Sequence, residues 1–263
     1  MSKYIVPLIL IFLLQFSCIE SETSINRNNP GKEKNPAKSP LPTGKEKNKK
    51  LEKMDPEKME TLKELNSAVG KNNVEEAKRL LDKNPDLINM TDKSGRAPIH
   101  IIMLEGNGAV ELVEMLVSKG ADVNLRDRTD QKWSPLHWGA DNIVLVKYLV
   151  SKGADVTLKD TTGRTPLHIE AYRGNVVNAE FFIEQGCDIN ESDCLWEHTP
   201  LHYAIKAKYI DEGGEYEKTV ETLIEKGADL DAKDRNGDTP LKMAEKFGQK
   251  KLVKILKKHG ARK

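Results

Sequence analysis

Five tetrapeptides of one pattern punctuate residues 97–242 of this chain: Ala97-Pro98-Ile99-His100, Ser134-Pro135-Leu136-His137, Thr165-Pro166-Leu167-His168, Thr199-Pro200-Leu201-His202 and Thr239-Pro240-Leu241-Lys242. A second phrase interleaves with them, Gly-Ala-Asp or a near variant, beginning at Gly120, Gly153, Gly186, Gly227 and Gly260. Glycines 120, 153 and 186 are spaced by 33 residues, as are 227 and 260. A fixed period of this length is the signature of stacked supersecondary units, none of which can bury its apolar stripe alone.

Each unit reads as a turn, a short helix, a second helix and a glycine stop. In the fourth unit Thr165 is placed to cap a helix, and Pro166 takes the first helical position, where a missing N–H costs nothing. Leu167 and Ala171 fall on one helical face; Ala179, Phe182 and Ile183 give the next helix its stripe. Gly186 then supplies a left-handed stop. These phrases resemble the ankyrin repeat over about residues 60–263, with units 60–92, 93–127, 128–160, 161–193, 194–234 and 235–263. The resemblance implies an all-α solenoid of about six helix-turn-helix repeats joined by β-hairpin loops. The end units are atypical: the first lacks the tetrapeptide, and the last replaces the histidine with Lys242.

Unit lengths vary. The second carries two extra residues between its two phrases. The third is two shorter there but longer in its hairpin, at RTDQKW. The fifth is seven longer between its helices, at KAKYIDEGGEYEK. Insertions in repeat arrays fall in exposed loops.

The chain opens with MSKYIVPLILIFLLQFSC. Lys3 precedes a dozen mostly apolar residues, short of the ~20 that span a bilayer, and the pattern reads as a signal peptide over residues 1–17. Leu14-Gln15-Phe16-Ser17-Cys18 resembles a relaxed bacterial lipobox, which implies a lipid on Cys18 and, with isoleucine at position 19, an outer-membrane lipoprotein facing the periplasm or the cell surface. A signal cleaved without lipidation and an uncleaved anchor are the alternatives. Residues 18–58 hold the lipidated cysteine and a Lys-, Asn-, Glu- and Pro-rich stretch that cannot bury enough surface to order itself. As a coil, its ~40 residues span roughly 35 Å. The repeat domain follows at 59–263.

Net charge is +1 and aromatics are 5% of the chain, so neither a general pull toward nucleic acid nor a base-stacking platform is expected. No P-loop, dinucleotide fingerprint or nucleophile–base set stands out, so no enzyme, catalytic residue, metal or cofactor is expected. The four tetrapeptide histidines stand one per unit. Packed helices lie 8–10 Å apart whereas zinc holds its ligands at ~2 Å, so the ladder cannot converge on one ion. The resemblance implies instead that they hydrogen-bond within and between turns.

The expected function is recognition of another protein by a monomeric array, without chemistry. The resemblance places contacts on the hairpins and the first helix of each unit, and selects Arg96, Trp133, Arg164, Tyr172, Arg173, Trp196 and His198. Trp, Tyr and Arg dominate binding energy at interfaces, and Trp133 reads as a hairpin-tip contact, whereas Trp138 reads as core. A rival reading makes Cys187, Cys194, His198 and His202 a metal or redox site. A Cys187–Cys194 disulfide stays open, because Cys18 would be consumed by lipid. The lysines of the last unit read either as a solvated cap face or as a contact for anionic lipid.

Overall fold

The computed structural model describes residues 55–105, 110–139, 142–208 and 215–262. The signal-peptide, lipidation and tether readings fall almost entirely on residues 1–54, outside the described residues.

Among the described residues twelve α-helices come in six pairs. The first helices of the pairs are α1 (Pro56–Gly70), α3 (Pro98–Glu105), α5 (Pro135–Trp138), α7 (Pro166–Arg173), α9 (Pro200–Lys208) and α11 (Pro240–Lys246). The second helices are α2 (Val74–Lys83), α4 (Val110–Ser118), α6 (Ile143–Ser151), α8 (Val176–Glu184), α10 (Tyr216–Glu225) and α12 (Lys250–Lys258). First helices pack on first helices and second on second, each on its neighbour along the chain, giving two parallel rows. One apolar core runs between the rows from Leu62 to Ala261, and it includes Leu112, Leu116, Leu145, Leu149, Phe182 and Leu223.

Local chemistry starts and stops these helices as expected. Pro166 opens α7 and Thr165 caps it. Gly186, at φ +92°, closes α8, with its own N–H on the carbonyl of Ile183 and that of Cys187 on Phe182. A left-handed residue there lets the chain satisfy the last carbonyls of the helix.

No strand is found among the described residues; the hairpin loops are closed by single turns. The N–H of Asp160 donates to the carbonyl of Arg164 at 2.8 Å, and Asp193, Asp234 and Asp127 repeat the bond with His198, Asp238 and Trp133. Successive loops also touch tip to tip. Arg128 N–H donates to Gly95, Thr161 to Gln131, Cys194 to Thr162 and Arg235 to Trp196. This closeness explains Gly163: a Cβ there would lie 2.6 Å from Cys194 Sγ, and its φ is +85°. In the longer loops of the third and fifth repeats the left-handed position falls instead to Lys132 (φ +53°) and Glu197 (φ +58°).

The third repeat departs most. Helix α5 is a single turn, and Gly139 follows it with φ +62°. The residue deficit read between its two phrases is therefore taken from its first helix.

Candidate interaction surface

The tetrapeptide histidines are buried bolts. His168 Nδ1 accepts from the N–H of Thr165 at 3.1 Å and lies 2.9 Å from its hydroxyl. Because Nδ1 accepts a backbone N–H, the proton sits on Nε2, which donates to the carbonyl of Glu191, 23 residues onward, at 3.1 Å. His100 reaches Leu125, His137 reaches Arg164 and His202 reaches Asp238 in the same way, at 2.8, 3.0 and 3.3 Å. Burial pushes the pKa of His137 and of His168 down to about 4, and lowers those of His100 and His202. Neutral imidazole is what two fixed hydrogen bonds of opposite sense require.

A second row, of aspartates, has no place in the sequence reading. Asp92, Asp127, Asp160, Asp193 and Asp234 each fold one carboxylate oxygen onto N–H groups of their own loop. The other oxygen faces the first-helix row, and its partner alternates. In the third and fifth repeats an aromatic donor just after the histidine takes it: Trp138 Nε1 to Asp127 at 2.9 Å, and Tyr203 Oη to Asp193 at 2.8 Å. In the second and fourth, where isoleucine follows the histidine, an arginine before the tetrapeptide approaches it. Arg164 Nε lies 2.8 Å from Asp160, and Arg96 lies 4.0 Å from Asp92.

Three selected contact residues are therefore corrected. Trp133 is only 4% exposed. Its indole N–H donates to Asp160 at 3.0 Å, and its ring lies between Arg164 (5.7 Å) and Trp138 (5.3 Å, edge-on). Arg164 is buried on Asp160 and also donates to Gln131 Oε1 at 2.8 Å. His198 is buried between Asp193 (3.9 Å) and Asp234 (3.6 Å) and stacks on His202. Burial outweighs both carboxylates and Lys206 adds to it, so His198 is neutral at pH 7, with its pKa pushed down to about 4. The common cause is position. The residue before the tetrapeptide points under the hairpin toward the aspartate row, not out of the tip.

Arg96 is part-exposed and lies over the Trp138 ring at 5.9 Å. Trp138, read as core, is half-buried. Arg173 is part-exposed but committed within the array, donating to Glu170 at 2.7 Å and to the carbonyl of Trp138 at 2.9 Å. Tyr172 and Trp196 are half-buried. Leu195, which the sequence reading passed over, is 47% exposed beside Trp196 at the fifth loop. Lys206 is half-exposed on α9. Tyr172 meets Tyr203 edge-on at 6.2 Å, so the two rings join neighbouring first helices. Cys18 lies outside the described residues.

The rival metal or redox set does not assemble. Among the described residues no group of His, Cys, Asp and Glu is placed to hold a metal ion. Cys187 and Cys194 are both free. Cys187 is buried, its Sγ 3.0 Å from the carbonyl of Val156, and burial pushes its thiol up to about 12, whereas Cys194 is exposed. Among the described residues no helix is long and apolar enough to cross a membrane.

Residues 65–160, 136–234 and 167–263 match the family model described as ankyrin repeats (3 copies). The chain belongs to the ankyrin-repeat family. Ankyrin arrays are also its structural neighbours. An ankyrin repeat domain from Acinetobacter baumannii AYE is 28% identical with a TM-score of 0.60, over 75% of this chain and 98% of that one. A chain in the crystal structure of a predatory endopeptidase from Bdellovibrio bacteriovorus in complex with an immunity protein is 25% identical with a TM-score of 0.63, over 74% and 97%. The ankyrin repeat domain of Bcl-3, of the IkappaB protein family, shares the fold at 22% identity and a TM-score of 0.63, over 76% and 86%. A stretch of 64 residues is 41% identical to the serine/threonine-protein kinase VIK of Arabidopsis thaliana; it is 24% of this chain and 13% of the kinase. The ankyrin repeats identify a protein-interaction scaffold.

Proposed function

We propose that this ankyrin array is an exported, lipid-tethered docking protein that binds another protein through its first-helix and hairpin face, without catalysis. The observation that carries the docking reading is the state of that face in repeats four and five. Leu195 is left exposed beside Trp196, with Tyr172 and Lys206 on the adjoining helices. Trp133, Trp138 and Tyr203 on this face each donate to an aspartate. An apolar and aromatic fingertip matches the composition of interface anchors. The 25%-identical neighbour seen in a complex of an endopeptidase with an immunity protein supports a protein as the kind of partner. Export and the lipid on Cys18 rest on the sequence of residues 1–18. A lipid at Cys18 would hold the array at a membrane surface.

The test is in-cell crosslinking on the native membrane fraction, with capture and mass spectrometry of wild type, Leu195→Ser/Trp196→Ala and Cys18→Ala. A partner recovered with wild type and lost with the fingertip variant, at unchanged thermal stability, supports the docking surface. A partner retained by that variant rejects the surface. A Cys18→Ala chain that stays in the membrane fraction rejects the tether.

A further inference from the structure

The last helix carries a charge pattern that its own stability does not explain. Residues 240–262 hold seven lysines and Arg262 against one carboxylate, Glu245. The acids within reach are committed to one flank. Lys242 and Lys246 both pair with Asp238, Lys257 pairs with Glu245 at 3.0 Å, and Lys251 lies 3.9 Å from Glu217. Lys250, Lys254, Lys258 and Arg262 are exposed and have no carboxylate partner among the described residues. They recur every four residues, so the three lysines form one stripe along α12, about 12 Å long at 1.5 Å per residue.

This stripe works against its own helix. Like charges four residues apart repel. Lys250 and Lys251 also occupy the first turn, where the helix dipole favours acids; α12 has no acid there and no side-chain cap bond. Capping the array does not demand this. The opposite end is covered by α1 and α2, with mixed charge, acids in both first turns, side-chain caps from Asp55 and Asn73, and pairs such as Lys63–Glu60 and Arg79–Glu76. The same task is done at one end with charges balanced and at the other with one sign.

We infer that the α12 stripe is a contact surface for an anionic, phosphate-bearing lipid surface. A straight row of point charges on the outermost helix fits a flat array of headgroups. Phe247, three residues before the stripe, is packed against the core, whereas single-strand binders set aromatic faces beside their basic residues. This inference is independent of the docking reading, because its test contains no partner protein.

The test is co-sedimentation of the full chain with vesicles of phosphatidylcholine alone and of equal parts phosphatidylcholine and phosphatidylglycerol. Wild type is compared with Lys250→Gln/Lys254→Gln/Lys258→Gln/Arg262→Gln. The N-terminal apolar segment is common to both proteins, so the gain in binding on adding the anionic lipid isolates charge. Wild type should show a large gain that high salt abolishes, and each cation removed should reduce it roughly fivefold. A variant with three arginines in place of the lysines keeps the charge and should keep the gain, which separates charge from folding. An equal gain in the glutamine variant overturns the inference, and so does no gain in wild type. Displacement by inorganic phosphate beyond that by chloride at matched ionic strength would overturn the surface in favour of a single-phosphate site. Binding to DNA or polyglutamate but not to anionic vesicles would also overturn it.

Discussion

The guanidinium of Arg173 donates to the carbonyl of Trp138, 35 residues earlier, at 2.9 Å, and holds the buried Glu170 carboxylate at 2.7 Å. Helix α5 stops after one turn, so its last carbonyls face a space that a longer helix would fill. Arg173 fills it from the next repeat, as a cation at a helix C-terminus. Glu170 sits close under Gly139, where a Cβ would lie 2.4 Å from Glu170 Oε1. Arg173→Ala should therefore destabilise the array by about 2 kcal/mol, below the ~3–5 kcal/mol for removing one partner of a fully buried pair because Arg173 is part-exposed. Arg173→Lys cannot span both partners and should recover little. Urea denaturation of the three proteins measures this.

Trp133 and Trp196 should behave oppositely. Trp133→Ala empties a buried site between the Arg164 guanidinium and the Trp138 indole and should cost about 3–5 kcal/mol. Trp196 is half-buried at a loop tip, and its replacement by alanine should move the thermal midpoint far less. Matched melts of the two variants decide it; a Trp133→Ala protein as stable as wild type would return that residue to the surface.

Two loop residues hold left-handed backbone without being glycine. Lys132→Gly and Glu197→Gly should each stabilise the array by about 0.5–1 kcal/mol, the relief at positive φ exceeding the added freedom of the unfolded chain. A double variant should come close to the sum, since the positions lie in different loops. Chemical denaturation midpoints would show it, and a loss of stability in either variant would mean the side chain contributes more than the strain costs.

Acid should loosen the array before its carboxylates titrate. His137 and His168 have pKa values near 4 when folded and near 6.5 as the reference value. Below pH 6.5 the unfolded chain takes up protons that the folded one refuses. Stability is thus full above that pH, falls as the pH drops toward 4, and levels off below. Each histidine contributes a slope of about 1.4 kcal/mol per pH unit in that window. Urea midpoints measured from pH 7.5 to 5 should fall, and a flat profile would contradict the buried neutral ladder.

The two described cysteines should separate by reactivity. Cys194 is exposed and should alkylate in the native protein; Cys187 is buried with a thiol pushed up to about 12 and should alkylate only on unfolding. Peptide mapping after iodoacetamide treatment with and without urea reads both at once.

The repeats were legible because their parts are local. Pro166 can open a helix and Gly186 can end one whatever lies elsewhere, and a 33-residue echo is visible without any structure. The direction of Trp133 was not legible, because it is set by an aspartate in a neighbouring loop; Arg164 and His198 turn inward onto Asp160 and Asp193 of their own loops, with Asp234 also facing His198. Asp160 accepts from Trp133 across 27 residues, and nothing in the local pattern announces that bond. The aspartates were hidden for a related reason. Asp-x-x-Gly reads as a turn, and it is one, yet only half of each carboxylate is used by the turn. The alternation of Trp138 and Tyr203 with Arg96 and Arg164 was in the sequence. It acquires meaning only once each is seen to serve the same oxygen.

The histidine ladder changes its hardware at α11. His100, His137, His168 and His202 each donate from Nε2 to a carbonyl 23 to 36 residues onward, whereas on α11 Lys242 stands in that place and folds back on Asp238. A further repeat grafted onto α11 would find no bolt to receive it unless Lys242 were first changed to histidine.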